Sequence, residues 1–122
     1  LTLDYAHLLP TDLTRAKTIR CLLDDLDFQE VVIETGARFL LDPRRKHQPT
    51  LISADPEKRK IRREMLEQAM ILGQVLGAST LSFWSGTARD DAPRNVLEDR
   101  LVEQLDILCN CAEKFDVRLA FE

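Results

Sequence analysis

The order of its segments constrains this chain most. Three times an amphipathic helix ends in a short polar turn and runs straight into an apolar strand. A helix with one apolar stripe, followed by a strand apolar at successive positions, is the building unit of a parallel sheet covered by helices. The first helix is predicted from about Thr11 to Leu26, capped by Thr11 or Asp12, with Leu13, Ala16, Ile19, Leu22, Leu23 and Leu26 as its stripe. The strand Val31-Val32-Ile33-Glu34-Thr35 follows, and Gly36 ends it. The second helix is predicted over Pro56–Leu76, because Asp55-Pro56 is a good cap and first-turn pair. Ile61, Met65, Leu66, Ala69, Leu72 and Leu76 recur along it at helical spacing. Gly77 suits its C-terminal turn, and Thr80-Leu81-Ser82-Phe83-Trp84 reads as the next strand. A third helix over about Arg94–Phe115, with Leu97, Leu101, Leu105, Leu108, Ala112 and Phe115 on one face, leads into Val117–Glu122.

The connections are uneven. Helix-to-strand turns are short, as in Asp27-Phe28-Gln29-Glu30 and Gly77-Ala78-Ser79. Strand-to-helix segments are long, from Gly36 to Asp55 and from Ser85 to Pro93. In parallel α/β proteins the loops after the strands build the functional face, so chemistry is expected there. Leu1-Thr2-Leu3-Asp4 also reads as a strand, and two terminal strands would be left with unpaired backbone groups. The 122 residues are therefore expected to be one fragment of a single larger α/β domain.

Composition excludes little. With 44% hydrophobic and 31% charged residues the chain reads as globular, and a net charge of −4 gives no reason to expect nucleic acid or an anionic membrane as partner. No apolar run approaches the roughly 20 residues that cross a bilayer. Cys21, Cys109 and Cys111 are odd in number and match no zinc or redox spacing, which predicts a reduced, cytoplasmic setting and structural roles.

Four strand ends carry candidate chemistry: Asp4 with His7, Glu34, Trp84 and Glu122. A carboxylate closing an apolar parallel strand needs a metal, a cation or hydrogen-bond donors, because burying it alone is costly. Glu122, after Arg118-Leu119-Ala120-Phe121, is the clearest functional candidate, against a structural ion pair. Glu34 has the same placement, although Arg38 or Arg45 could simply neutralise it. His7 could ligate a metal or move a proton, or be a plain hydrogen-bonding loop residue. The loop Arg38–Pro49 gathers Arg38, Arg44, Arg45, Lys46 and His47, a set suited to carboxylate, phosphate or polyol oxygens unless it is merely a solvated basic loop. The run Lys58-Arg59-Lys60 with Arg62-Arg63 reads as a solvated helix face. Trp84 offers either a flat wall for a sugar ring or core packing. No glycine-rich phosphate loop, GxSxG or HExxH is present.

Glu34-Thr35-Gly36-Ala37-Arg38, Leu76-Gly77-Ala78, Phe83-Trp84-Ser85-Gly86 and Leu119-Ala120-Phe121-Glu122, set in this order of elements, resemble the xylose isomerase-like TIM barrels over essentially the whole chain. That superfamily includes sugar and sugar-phosphate isomerases, keto-sugar epimerases, inosose dehydratases and type IV apurinic endonucleases. The resemblance implies an α/β fold of parallel β/α repeats, a partial (β/α)8 barrel covering about strands two to five. It implies a divalent metal (manganese, magnesium, cobalt or zinc) at the barrel mouth, with Glu122 matching the family's first metal glutamate and the other ligands lying beyond it. His7 falls loosely where the endonuclease branch places a metal histidine, whereas Trp84 stands where that branch often carries histidine, which argues against a three-zinc nuclease.

The leading expectation is an isomerase or epimerase of a small polyhydroxy substrate. Glu122 and Glu34 would be catalytic, and His7, Trp84, Arg38, Arg44, Arg45 and His47 would bind substrate. A metal-dependent hydrolase or dehydratase on the same barrel and a non-catalytic binding module are the competing classes. A small molecule is the expected partner, with no nucleic acid, no membrane, and a homo-oligomer left open.

Overall fold

A computed structural model describes residues 13–35, 41–42 and 44–122. The expected first strand, the Thr11 or Asp12 cap, His7 and Arg38 lie outside the described residues. Within them the order is α1 (Leu13–Asp25), β1 (Val32–Glu34), α2 (Pro56–Leu76), β2 (Thr80–Phe83), α3 (Arg94–Phe115) and β3 (Arg118–Phe121). The three strands form one parallel sheet in the order β1-β2-β3. Both long helices begin and end where their sequence signals place them, and the strands are a residue or two shorter than the apolar runs.

Local chemistry sets the helix ends. Asp55 is extended and its carboxylate accepts from the Glu57 N–H at 3.0 Å, with Pro56 in the first turn. At the other end Gly77 takes the left-handed conformation at φ 70°, so the chain reverses with the Ala78 N–H bonded to the Gly73 carbonyl at 2.8 Å. Arg20 of α1 reaches across and donates to the Leu76 carbonyl at 2.8 Å, which satisfies a carbonyl that the ending helix leaves free. A helix terminus and a helix–helix contact are thus joined by one side chain.

The core lies between the helices and one face of the sheet. Ile33, Leu81 and Phe83 from the strands meet Leu66, Ala69, Met70, Leu72 and Leu76 of α2 and Leu108 of α3, all buried. Gly73 allows the close approach: a Cβ there would already touch Ile33 Cγ1 at 3.6 Å. The α1 stripe is used less fully. Ala16 is buried, while Leu22 and Leu26 stay exposed.

The arginines of the basic run on α2 depart from the expected solvated face, while Lys58 and Lys60 remain exposed on it. Arg62 is only 4% exposed, and Arg59 and Arg63 are mostly covered, in contact with Glu103 and Glu67 respectively. Arg62, Met65, Leu66, Ala69, Gly73 and Leu76 share one buried face at helical spacing, and Ile61, which the sequence placed on the stripe, is exposed instead. The guanidinium is covered because the long side chain lies along the stripe and reaches the end of β1.

Candidate functional site

Register decides which side chains share the face of the sheet turned away from the helices. Glu34 pairs with Ser82, and Ser82 with Ala120. Paired residues in a parallel sheet point the same way, and alternate residues along a strand return to that side. Glu34, Ser82, Ala120 and Glu122 therefore lie on the face opposite the helices. One step toward the strand starts, Val32, Thr80 and Arg118 form the next row, with Val32 and Arg118 exposed.

The end of this row is polar. Ser82 is buried, and its hydroxyl donates a short hydrogen bond to Glu122 Oε1. The Glu122 N–H in turn donates to the Phe83 carbonyl at 2.9 Å, so the ladder extends past β3 and places this carboxylate at the strand ends. The donor that a strand-end carboxylate requires is thus a serine on the neighbouring strand. Sequence reading missed Ser82, because an alternating serine inside an apolar strand is ordinary until the register is known.

Glu34 is half-buried at the end of β1. Among the described residues Arg62 of α2 acts on its charge; of the two expected cations, Arg45 lies 3.8 Å from Asp42 and Arg38 lies outside the described residues. Arg62 donates to the Thr35 carbonyl at 3.5 Å, and its Nε is buried with no partner among the described residues. Burial pulls this guanidinium down to about 10, and the charge of Glu34 opposes the fall. Thr35 is fully buried, donating through Oγ1 to the Ser82 carbonyl at 2.9 Å. Neighbouring strand ends are thereby tied together.

Two residues proposed from separate parts of the sequence meet. The rings of His47 and Trp84 stand edge to face, with centroids 4.6 Å apart and planes at 86°. Trp84 follows β2 directly, so the long loop after β1 is folded back over the end of the next strand. The Leu51 N–H, bonded to the Ser85 carbonyl at 3.1 Å, and Gln48, donating to the Thr87 carbonyl at 3.4 Å, hold it there. Gly86 makes this approach feasible: it has φ 85°, and a Cβ would stand 2.6 Å from Thr50 Cβ. Arg44 and Arg45 are exposed on the same loop, and the Arg44 N–H donates to Asp42 Oδ1 at 2.8 Å. The three cysteines are free thiols, and burial pushes that of Cys111 up, with Glu67 adding to the effect.

Among the described residues no helix is long and apolar enough to cross a membrane, and no three His, Cys, Asp or Glu side chains gather as a metal site would require. A hard divalent cation prefers carboxylate oxygens, and Glu122, with one oxygen held by Ser82, offers the other as a single such ligand. The described residues alone do not complete a metal site.

The open polar face at the carboxyl ends of parallel strands, with long loops folded over it, is the layout of a barrel mouth. A profile of the xylose isomerase-like TIM barrel family matches residues 2–122. The chain belongs to that family. Solved barrels superpose on nearly all of it. A D-tagatose 3-epimerase-like protein matches with a TM-score of 0.71 at 16% identity, over 98% of this chain and 41% of its own. A D-psicose 3-epimerase crystallised in the presence of D-fructose gives 0.72 at 14% identity, over 97% and 39%. The TTHB071 protein of Thermus thermophilus, soaked with zinc chloride, gives 0.66 at 24% identity, over 98% and 44%. At these identities the likeness is one of fold. No curated protein matches the sequence significantly. This xylose isomerase-like chain therefore spans about two fifths of the length of the barrels it resembles.

Proposed function

We propose that the protein is a divalent-metal-dependent isomerase or epimerase of a small polyhydroxy carbonyl compound. The observation that carries this reading is the pair of strand-end carboxylates, Glu34 and Glu122, on one sheet face, with the buried Ser82 donating to Glu122 between them. Family membership and the epimerase folds among the similar structures point the same way.

Isomerisation moves a proton. A base takes the proton from the carbon beside the carbonyl, the C–H electron pair passes into an enediolate, and a proton returns at the neighbouring carbon or on the opposite face. Glu122 would act as that base, with Ser82 holding one of its oxygens. Glu34 is the second group, able to contact a hydroxyl or return the proton, with the buried Arg62 beside it. The metal would add Lewis acidity at the substrate oxygens, with Glu122 one of its ligands and the rest outside the described residues. Trp84, held against His47, forms a wall for the apolar face of a sugar ring. A cytoplasmic location and a small-molecule partner accord with this chemistry.

Glu122→Gln keeps the shape of the side chain and removes its basicity and charge. In the full-length protein it should abolish metal-dependent epimerase or isomerase turnover in a screen of ketohexoses and their phosphates, and chelation of the parent should do the same. Full activity in Glu122→Gln would overturn the assignment.

A further inference from the structure

A cleft of about 240 Å3 lies between the loop after β1, the first turn of α2 and the loop after β2. Each of these segments contributes one cation to its lining: Arg45, Lys58 and Arg89. Three like charges around one cavity repel one another, so they leave a positive potential unless carboxylates cancel it. Two carboxylates also line the cleft, Asp55 and Asp90, so its cations outnumber its carboxylates by one, and Asp90 Oδ1 is buried with no hydrogen-bond partner among the described residues. Asp55 Oδ1 caps α2 through the Glu57 N–H at 3.0 Å. Asp90 Oδ2 is bound by Arg100 at 2.7 Å, a residue outside the lining. Among the described residues the one ion pair of Arg45 is a loose 3.8 Å contact with Asp42. Among the described residues Lys58 and Arg89 have no ion-pair partner.

Size and position narrow the ligand. The cavity is smaller than the roughly 300–1,000 Å3 that encloses a whole ligand of moderate size, so it suits a charged group rather than an entire substrate. It adjoins the aromatic pair: Gln48, on its wall, follows His47 and is bonded to Thr87, three residues beyond Trp84. Arginine forks and a lysine point charge, set at a helix start, are the donor set that tetrahedral oxyanions prefer.

We infer that this cleft binds the phosphoryl group of a small phosphorylated polyhydroxy substrate through Arg45, Lys58 and Arg89. The identity of the substrate's other end rests on the isomerase reading, and binding of the anion does not. Isothermal titration calorimetry with inorganic phosphate at low salt tests it. Saturable binding is expected, and it should weaken as salt is raised toward physiological strength, where the screening length falls to about 8 Å. Arg45→Ala, Lys58→Ala and Arg89→Ala should each weaken it by about tenfold, as loss of a charge-assisted contact does, while Lys58→Arg retains it. All three side chains are exposed, so far-UV circular dichroism of the variants should match the parent. A hexose monophosphate should displace phosphate and the free hexose should not. Glu122→Gln should bind phosphate like the parent, which keeps this inference separate from the catalytic one. The inference is overturned by absent saturable binding, by unchanged affinity in the triple alanine variant, by equal competition from free hexose, or by loss of phosphate binding in Glu122→Gln.

Discussion

Arg62 shows how one residue changes meaning with its surroundings. Buried beside Glu34, its guanidinium is pulled down to about 10 by loss of water. Between about 10 and the ordinary arginine range the unfolded chain keeps a proton that the folded chain releases, so the stability contributed at this site grows as pH rises and is lost as pH falls through about 10. At neutral pH the charge is therefore a cost offset by the Thr35 carbonyl and Glu34. Arg62→Met, similar in length, should stay within about 1 kcal/mol of the parent at pH 7 or exceed it. Arg62→Ala, which leaves a cavity, should lose about 2 kcal/mol or more. Urea unfolding at pH 7 and 11 checks both, and the parent should gain on Arg62→Met at the higher pH. Gly86 is a second such position. Gly86→Ala meets both a positive φ and Thr50, and should cost about 2 kcal/mol or more in a thermal melt. It should also loosen the loop that carries His47, visible as a change in Trp84 fluorescence.

At the scale of elements α2 is the hub, touching α1, α3, β1 and β2. Its N-terminus sits on the functional face: Asp55 caps it, Lys58 and Asp55 line the outer cleft, and Arg62 reaches β1. Asp55→Ala should cost about 1 kcal/mol in chemical denaturation, the usual loss for an N-cap, through the unsatisfied Glu57 N–H. Phosphate affinity should hold or rise in the same variant, since a carboxylate leaves the cleft. The long helices were legible because their signals are local: Asp55-Pro56 at one start, Gly77 at one end, and apolar residues at helical spacing between. The stripe of α2 was legible except at its first turns, where Ile61, assigned to the core by spacing, is exposed and Arg62 is buried in its place.

For the molecule as a whole, one core joins sheet and helices, with Leu66, Leu81 and Leu108 all at 1% exposure or less. Sheet and helices that share one core are expected to unfold together in the full-length protein. Trp84, the sole tryptophan, reports on the strand ends and far-UV circular dichroism on the helices. Their urea transitions should coincide, and Leu66→Ala should shift both together by about 2–5 kcal/mol. Separate transitions would show that the strand-end loops melt apart from the core.

The sequence by itself determined the class of fold. Helical and strand periodicities, caps and uneven loop lengths are properties of neighbouring residues, and they were enough to give parallel β/α units with a functional face after the strands. It also marked Glu34, Trp84, His47 and Glu122 as candidates by their places at strand ends and in the long loop. The tertiary structure alone decided which of these are companions. Ser82 faces Glu122 because of a strand register, a choice made by packing residues forty positions apart. Glu34 answers to Arg62, and His47 to Trp84, because α2 and the loop after β1 fold back over the sheet. Charges gathered from Arg45, Lys58 and Arg89 form one cleft for the same reason. Contacts between residues distant in sequence follow from how apolar faces bury one another, and no local pattern in the chain encodes them.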